Sequence, residues 1–223
     1  MTRVIVCDVN ETLLDLRALD PIFADMFGDV SVRQEWFNQL LQSALVATVT
    51  DAYIDFGTIG MAALDMVAAR RDVSLTDDHR GALREGMRRL PPHPEVREAL
   101  MHLREAGFRL ATLTNSTAEV GEAQIANAGL DDLFEVTLSA DSARRLKPAP
   151  EPYRMAADRL GIAVGDVRLV AAHAWDVAGA MRAGCAAAFV ARPGKVLDPL
   201  APRPDVVGAD LGAVANTILQ VDR

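Results

Sequence analysis

Val4-Ile5-Val6-Cys7-Asp8-Val9-Asn10-Glu11-Thr12-Leu13 opens the chain with a short β-branched strand that delivers one carboxylate, Asp8, to its carboxyl end. Open α/β sheets hold their chemistry at the carboxyl ends of the strands, so Asp8 reads as a candidate nucleophile as well as a turn cap. From about residue 95 onward, strand-like runs alternate with helical ones. A helix over 95–106 closes at Gly107, and a strand over 109–113 follows. Next come a helix over 118–128, a strand over 134–138, a helix over 150–160, a strand over 167–171, a helix over 177–183 closed by Gly184, and a strand over 187–190. This alternation predicts a Rossmann-like, doubly wound α/β core: a parallel sheet with helices on both faces. Residues 206–208 add an edge strand and 211–221 a final helix.

Residues 15–90 break the alternation, because they carry only helical patterns, over 18–27, 32–48, 54–70 and 76–87. The expected organisation is therefore a core of residues 1–14 and 91–223 with an inserted helical cap over 15–90. Pro91-Pro92-His93-Pro94 is the stiff return into the core. With 223 residues, half of them hydrophobic, the chain is long enough for one core domain plus such an insert. A net charge of −8 and scattered arginines argue against a nucleic-acid or anionic-membrane surface, which needs a basic stripe. No apolar run is long enough to cross a bilayer, and Asp8 interrupts the first strand before it could form a signal-peptide core, so a cytoplasmic protein is expected. Cys7 and Cys185 have no metal-ligand spacing and read as small buried hydrophobes.

Three later segments join Asp8: Leu113-Thr114-Asn115-Ser116, Leu146-Lys147-Pro148-Ala149-Pro150 and Val170-Ala171-Ala172-His173-Ala174-Trp175-Asp176. In order and spacing they resemble the four motifs of the haloacid dehalogenase superfamily, most closely the type II (L-)2-haloacid dehalogenases, through nearly the whole chain. The resemblance implies that Asp8 displaces halide from carbon to form an ester, which water then hydrolyses. A buried carboxylate suits that task, being an anionic nucleophile in a dry pocket. It also implies that Lys147 keeps Asp8 ionised and that Thr114 and Asn115 hydrogen-bond the nucleophile and the substrate carboxylate. Asp176 would orient Lys147 or the water, or else cap the following helix. Val9 and Asn10, beside the nucleophile, are expected to touch substrate. Homodimers are common among the resembled proteins, which leaves room for one here.

Superfamily phosphatases use a magnesium ion, with an acidic ligand at the position of Ala172 and an aspartate acid two residues after the nucleophile, where this chain has Asn10. Hard cations need such oxygen ligands and leaving-group protonation needs such an acid, so neither a phosphatase nor a metal or other cofactor is expected. The chain departs from the dehalogenase pattern as well. Asn10 replaces a tyrosine, Glu11 a glycine, and Ala171 and His173 a serine and an asparagine. Glu11 and His173 lie on loops that can meet beside Asp8, where a carboxylate holding one imidazole nitrogen leaves the other to take a proton from water. They are proposed as a pair that activates the hydrolytic water.

The family's cap arginine, which withdraws the halide, corresponds to Phe37 in Glu35-Trp36-Phe37-Asn38-Gln39. Phe37, Phe56 and Trp175 are expected to bind halide through positive ring edges and the indole N–H, with Asn38 helping. Arg33, one turn before Phe37, is a further cation within reach. The reading that results is a metal-independent dehalogenase of short 2-haloalkanoic acids. Two alternatives stand beside it: a hydrolase for another small substrate using the same Asp8 ester, and a catalytically silent binding protein with this fold.

Overall fold

The computed structural model describes residues 3–222, so the first two residues and the last of the expected core lie outside the described residues. Six parallel strands form one sheet in the order β3-β2-β1-β4-β5-β6: β1 (Val4–Cys7), β2 (Leu110–Thr114), β3 (Val136–Ser139), β4 (Val167–Ala171), β5 (Ala186–Val190) and β6 (Val206–Gly208). β1 lies between β2 and β4, and the strand order reverses there, which makes its carboxyl end the natural crevice of this topology. Every residue of β1, β2 and β4 is buried. Near-continuous apolar runs are what strands covered on both faces require.

Successive side chains of a strand point to opposite faces, and β1 shows it. Ile5 and Cys7 join the core formed with α5 (Val96–Glu105), α6 (Ala118–Asn127) and α9 (Leu211–Val221), where Leu100, Ile125 and Ile218 pack. Val4 and Val6 face α7 (Pro150–Leu160) and α8 (Ala174–Ala183), with Tyr153, Ala156 and Val177. Cys7 and Cys185 are buried and unpaired, and burial pushes both thiols up to about 12.

Between β1 and α5 the chain makes four consecutive helices, α1 (Asp20–Phe27), α2 (Val32–Val49), α3 (Phe56–Arg70) and α4 (Asp77–Arg88). The two stems of this insert are zipped together. Leu14 and Pro92 form an antiparallel bridge, the Asp15 amide donates to the Pro91 carbonyl at 2.8 Å, and the His93 amide donates to Leu13 at 2.9 Å. Inside the insert, Trp36 of α2 donates its indole N–H to the Gly60 carbonyl of α3 at 2.8 Å. The two helices approach so closely that a Cβ at Gly60 would stand 3.2 Å from a Leu40 methyl.

One expected boundary is corrected. α8 starts at Ala174, not Val177, and His173 occupies its N-cap position without a side-chain cap bond. Asp176 therefore lies within the first turn and caps nothing. Its carboxylate is committed to other partners.

Candidate active site

Asp8 follows β1 directly, and its amide donates to the Val170 carbonyl at 2.9 Å, so the sheet itself holds the residue in place. Only 5% of Asp8 is exposed. Its Oδ1 accepts from Lys147 Nζ at 2.9 Å and its Oδ2 from the Thr12 hydroxyl at 2.7 Å. Thr12 Oγ1 in turn accepts the Ala172 amide at 2.9 Å, which ties the loop after β1 to the loop after β4. Lys147 spends all three of its protons here, on Asp8, on the Leu113 carbonyl at 2.7 Å and on Asp176 Oδ2 at 2.7 Å. Asp176 Oδ1 accepts the Tyr153 hydroxyl at 2.6 Å.

Burial opposes charge on Asp8, but the Lys147 ammonium, then the His173 imidazole and the Thr12 hydroxyl, outweigh it and hold the carboxyl well below the usual carboxylate range. Lys147 loses ground to burial and regains more from Asp176 and Asp8, so its pKa is raised. Burial pushes Asp176 up, Lys147 pulls it back and Asp8 adds to the rise. Both Asp176 oxygens nevertheless face donors, so the ion is the form its contacts support.

Glu11 and His173 meet. His173 Nε2 lies 2.9 Å from Glu11 Oε2, and Nδ1 stands 3.4 Å from Asp8 Oδ2, an ion-pair separation with no formed hydrogen bond. The imidazole thus spans two carboxylates, which raise its pKa although burial works the other way. Glu11 Oε2 also accepts from Lys195 Nζ at 2.6 Å. Glu11 sits at φ +62°, left-handed backbone that favours glycine and costs a side-chain-bearing residue about 1–2 kcal/mol. Against burial, His173 and Lys195 hold its carboxyl below the usual range. An unbroken line of rings continues from the insert into this site: Phe23 to Trp36 at 5.3 Å, Trp36 to Phe37 at 6.1 Å, Phe37 to His173 at 6.0 Å and His173 to Trp175 at 5.2 Å.

Comparisons with known proteins point to a family. The family model of haloacid dehalogenase-like hydrolases matches residues 2–184. The chain belongs to that family. It is 31% identical to haloacetate dehalogenase H-2 of Moraxella sp. (strain B), over 96% of this chain and 96% of that one. It is 28% identical to (S)-2-haloacid dehalogenase 2 of Pseudomonas sp. (strain CBS-3), over 97% and 95%. In fold it matches the L-2-haloacid dehalogenase of Xanthobacter autotrophicus at a TM-score of 0.92 and 24% identity, covering 99% of this chain and 100% of that one.

Several residues of this hydrolase stand elsewhere than the sequence reading placed them. The Thr114 hydroxyl accepts the Ser116 amide at 3.1 Å, serving its own turn and making no bond to Asp8. Asn115 clasps Lys147 through both backbone groups, accepting the amide at 2.8 Å and donating to the carbonyl at 3.3 Å, so it positions the lysine. Asn10 is drawn toward Ser116 at 3.3 Å and Gln124 at 2.9 Å. Val9 is fully buried in the core. Asn38 is exposed on α2 and accepts from Gln34 at 3.0 Å, because the helix turns it away from the site. Arg33 is held by Asp20 at 2.5 Å and lends no charge to Phe37. Phe56 is buried but lines a separate cavity of about 440 Å³ between α2, α3, α4 and α6, with Trp36, Met61, Met87 and Val120. Trp175 lies beside His173, and its buried indole N–H has no partner among the described residues.

Thr12, Tyr153 and Lys195 escaped the sequence reading. A threonine four residues after a candidate nucleophile and a lysine just past a strand end were the available signals. Nothing marked Tyr153, an aromatic residue on an apolar helix face.

Proposed function

We propose that this hydrolase removes halide from short 2-haloalkanoic acids in two half-reactions at Asp8. In the first, an Asp8 oxygen attacks the substituted carbon, inverting it, and halide departs with the bonding pair. Lys147 keeps the nucleophile ionised throughout, and the unpartnered Trp175 N–H with the edge of Phe37 receives the halide. In the second, His173 Nδ1 takes a proton from a water that attacks the Asp8 carboxyl carbon, while Glu11 holds Nε2. The observation that carries this reading is the buried carboxylate of Asp8, held by Lys147 and by Thr12, whose hydroxyl also accepts the amide of Ala172, a residue whose side chain cannot ligate a metal. The Moraxella relative, a haloacetate dehalogenase, supports the carbon–halide bond as the target. The reading takes residues 15–90 as the cap and the protein as cytoplasmic, and it leaves room for a homodimer.

Phe37 favours a second reading. Without a cation at that position of the insert, a leaving group other than halide would depart from the same Asp8 ester. Ion chromatography of halide released from chloro-, bromo- and fluoroacetate and both 2-chloropropionate enantiomers, with and without EDTA, separates the two. Halide release unaffected by EDTA is expected. No halide from any acid, with turnover of another ester or phosphate, would overturn the dehalogenase reading.

A further inference from the structure

Ion pairs link the His173 imidazole to five charged groups, of which Asp8 and Glu11 approach the ring itself. The loop after β1 supplies Asp8 and Glu11, the loop after β5 supplies Lys195, the segment ahead of α7 supplies Lys147, and α8 supplies Asp176. The insert contributes the Phe37 ring, and α8 adds the Trp175 ring. Three carboxylates therefore face two lysines where Asp8 and His173 are each only 5% exposed. An imidazolium makes the charges even, and each ring nitrogen stands within ion-pair distance of a carboxylate oxygen. In that form His173 has no lone pair with which to take a proton from water. An ester at Asp8 removes, with the departing halide, the negative charge 3.4 Å from Nδ1; the acid's own carboxylate stays one carbon beyond the new bond, and Glu11, already paired with Lys195, is then the one side-chain carboxylate in contact with the imidazole.

Building on the two-step reaction above, we propose that the ester itself arms the base: His173 is an imidazolium while Asp8 is free and becomes a neutral imidazole only when Asp8 is esterified. The proton leaves with the halide, so the first half-reaction releases the elements of HX. A cavity of about 390 Å³ bounded by Glu11 and Lys195 gives that proton a polar route outward. In the second half-reaction the neutral Nδ1 accepts a proton from water as its oxygen bonds to the Asp8 carboxyl carbon. The ester bond then breaks, the second water proton goes to the alkoxide, and the hydroxy acid leaves. Asp8 is again a carboxylate and His173 again an imidazolium, so the cycle closes. Premature proton abstraction is avoided because the base does not exist before its substrate does. Lys195 is the positioning residue of this device: by neutralising Glu11 at 2.6 Å, it leaves Asp8 as the carboxylate that decides the state of His173.

The test is an NMR titration of the full chain carrying ring-labelled histidine, with the His173 signal assigned by its loss in His173→Gln. Asp8→Asn stands in for the esterified Asp8 carboxyl group, uncharged and of nearly the same shape. The His173 midpoint of the wild type is expected above the ordinary histidine value, and in Asp8→Asn it should fall by about 1–3 pH units. Lys195→Met should move it upward. Coincident midpoints in wild type and Asp8→Asn would overturn the proposal. A second arm uses single turnovers of Lys195→Met on a haloacid. Ester formation should keep its wild-type rate, while ester hydrolysis at neutral pH should slow about tenfold for each unit that the midpoint rises, and recover at higher pH. Slowed hydrolysis that higher pH does not restore would count against Lys195. The titration needs no turnover, so a chain that releases no halide contradicts the dehalogenase reading, whereas coincident midpoints contradict the gating alone.

Discussion

Lys147 is the residue on which the site turns, because one ammonium satisfies Asp8, Asp176 and the Leu113 carbonyl at once with all three protons. Lys147→Met keeps roughly the volume and leaves two carboxylates buried without a counter-ion. Breaking a buried pair this way costs about 3–5 kcal/mol, and urea denaturation should show a loss of that size together with lost halide release. His173 gives a pH signature with a definite sign. Its folded pKa is raised, so its stabilising contribution is fully present below the unfolded histidine value of about 6.5 and is lost as pH rises through the higher folded value. The urea midpoint should therefore fall with rising pH on the alkaline side of neutrality in the wild type, and this slope should be missing in His173→Gln. At this scale the meeting of Asp8 with Lys147 and of Glu11 with His173 was legible, because Asp8, Glu11 and His173 stand within a few residues of a strand end and Lys147 lies in a spaced motif. The roles of Thr114, Asn115 and Asn10 were not. Short polar side chains choose among several neighbours within reach, and the choice depends on backbone direction, which a spacing does not contain.

Helix α8 carries Asp176 and passes over the Lys147 loop with no room to spare. At Gly179 an added Cβ would lie 2.5 Å from Pro148 Cβ, 2.7 Å from the Tyr153 hydroxyl and 2.8 Å from the Pro148 carbonyl. Gly179→Ala must therefore push α8 away from the residue that follows Lys147. Overpacking of this kind costs about 1–3 kcal/mol, and a drop in thermal midpoint should come with a larger proportional drop in halide release, since the displaced loop carries the lysine. The start of α8 was misread for a related reason. Aspartate favours the N-cap, which suggested a helix beginning after Asp176, but this carboxylate is turned inward to Lys147 and Tyr153. Tertiary partners outbid the local preference. Where no such partner intervened, as in α7, β4, β6 and α9, the expected limits and the observed ones coincide.

Across the whole molecule, function depends on a parallel sheet that brings five loops to one edge and on a helical insert that closes over them. The insert was legible as a break in the strand–helix alternation, and its entry and exit are joined by the Leu14–Pro92 bridge. What it offers the site was less so: of the aromatic residues expected there, the insert brings Phe37 to His173, while Phe56 faces the 440 Å³ cavity instead. Helical periodicity tells which residues turn inward, not which interior they enter. The central claim, that substrate becomes covalently attached through Asp8, is tested most directly by a single turnover with enzyme in excess of haloacid in water enriched in heavy oxygen. The hydroxy acid of that first turnover should carry ordinary oxygen taken from Asp8, and the peptide containing Asp8 should gain one heavy oxygen. Heavy oxygen in the first-turnover product, with an unlabelled Asp8 peptide, would show that water attacks the substrate itself and would contradict the account.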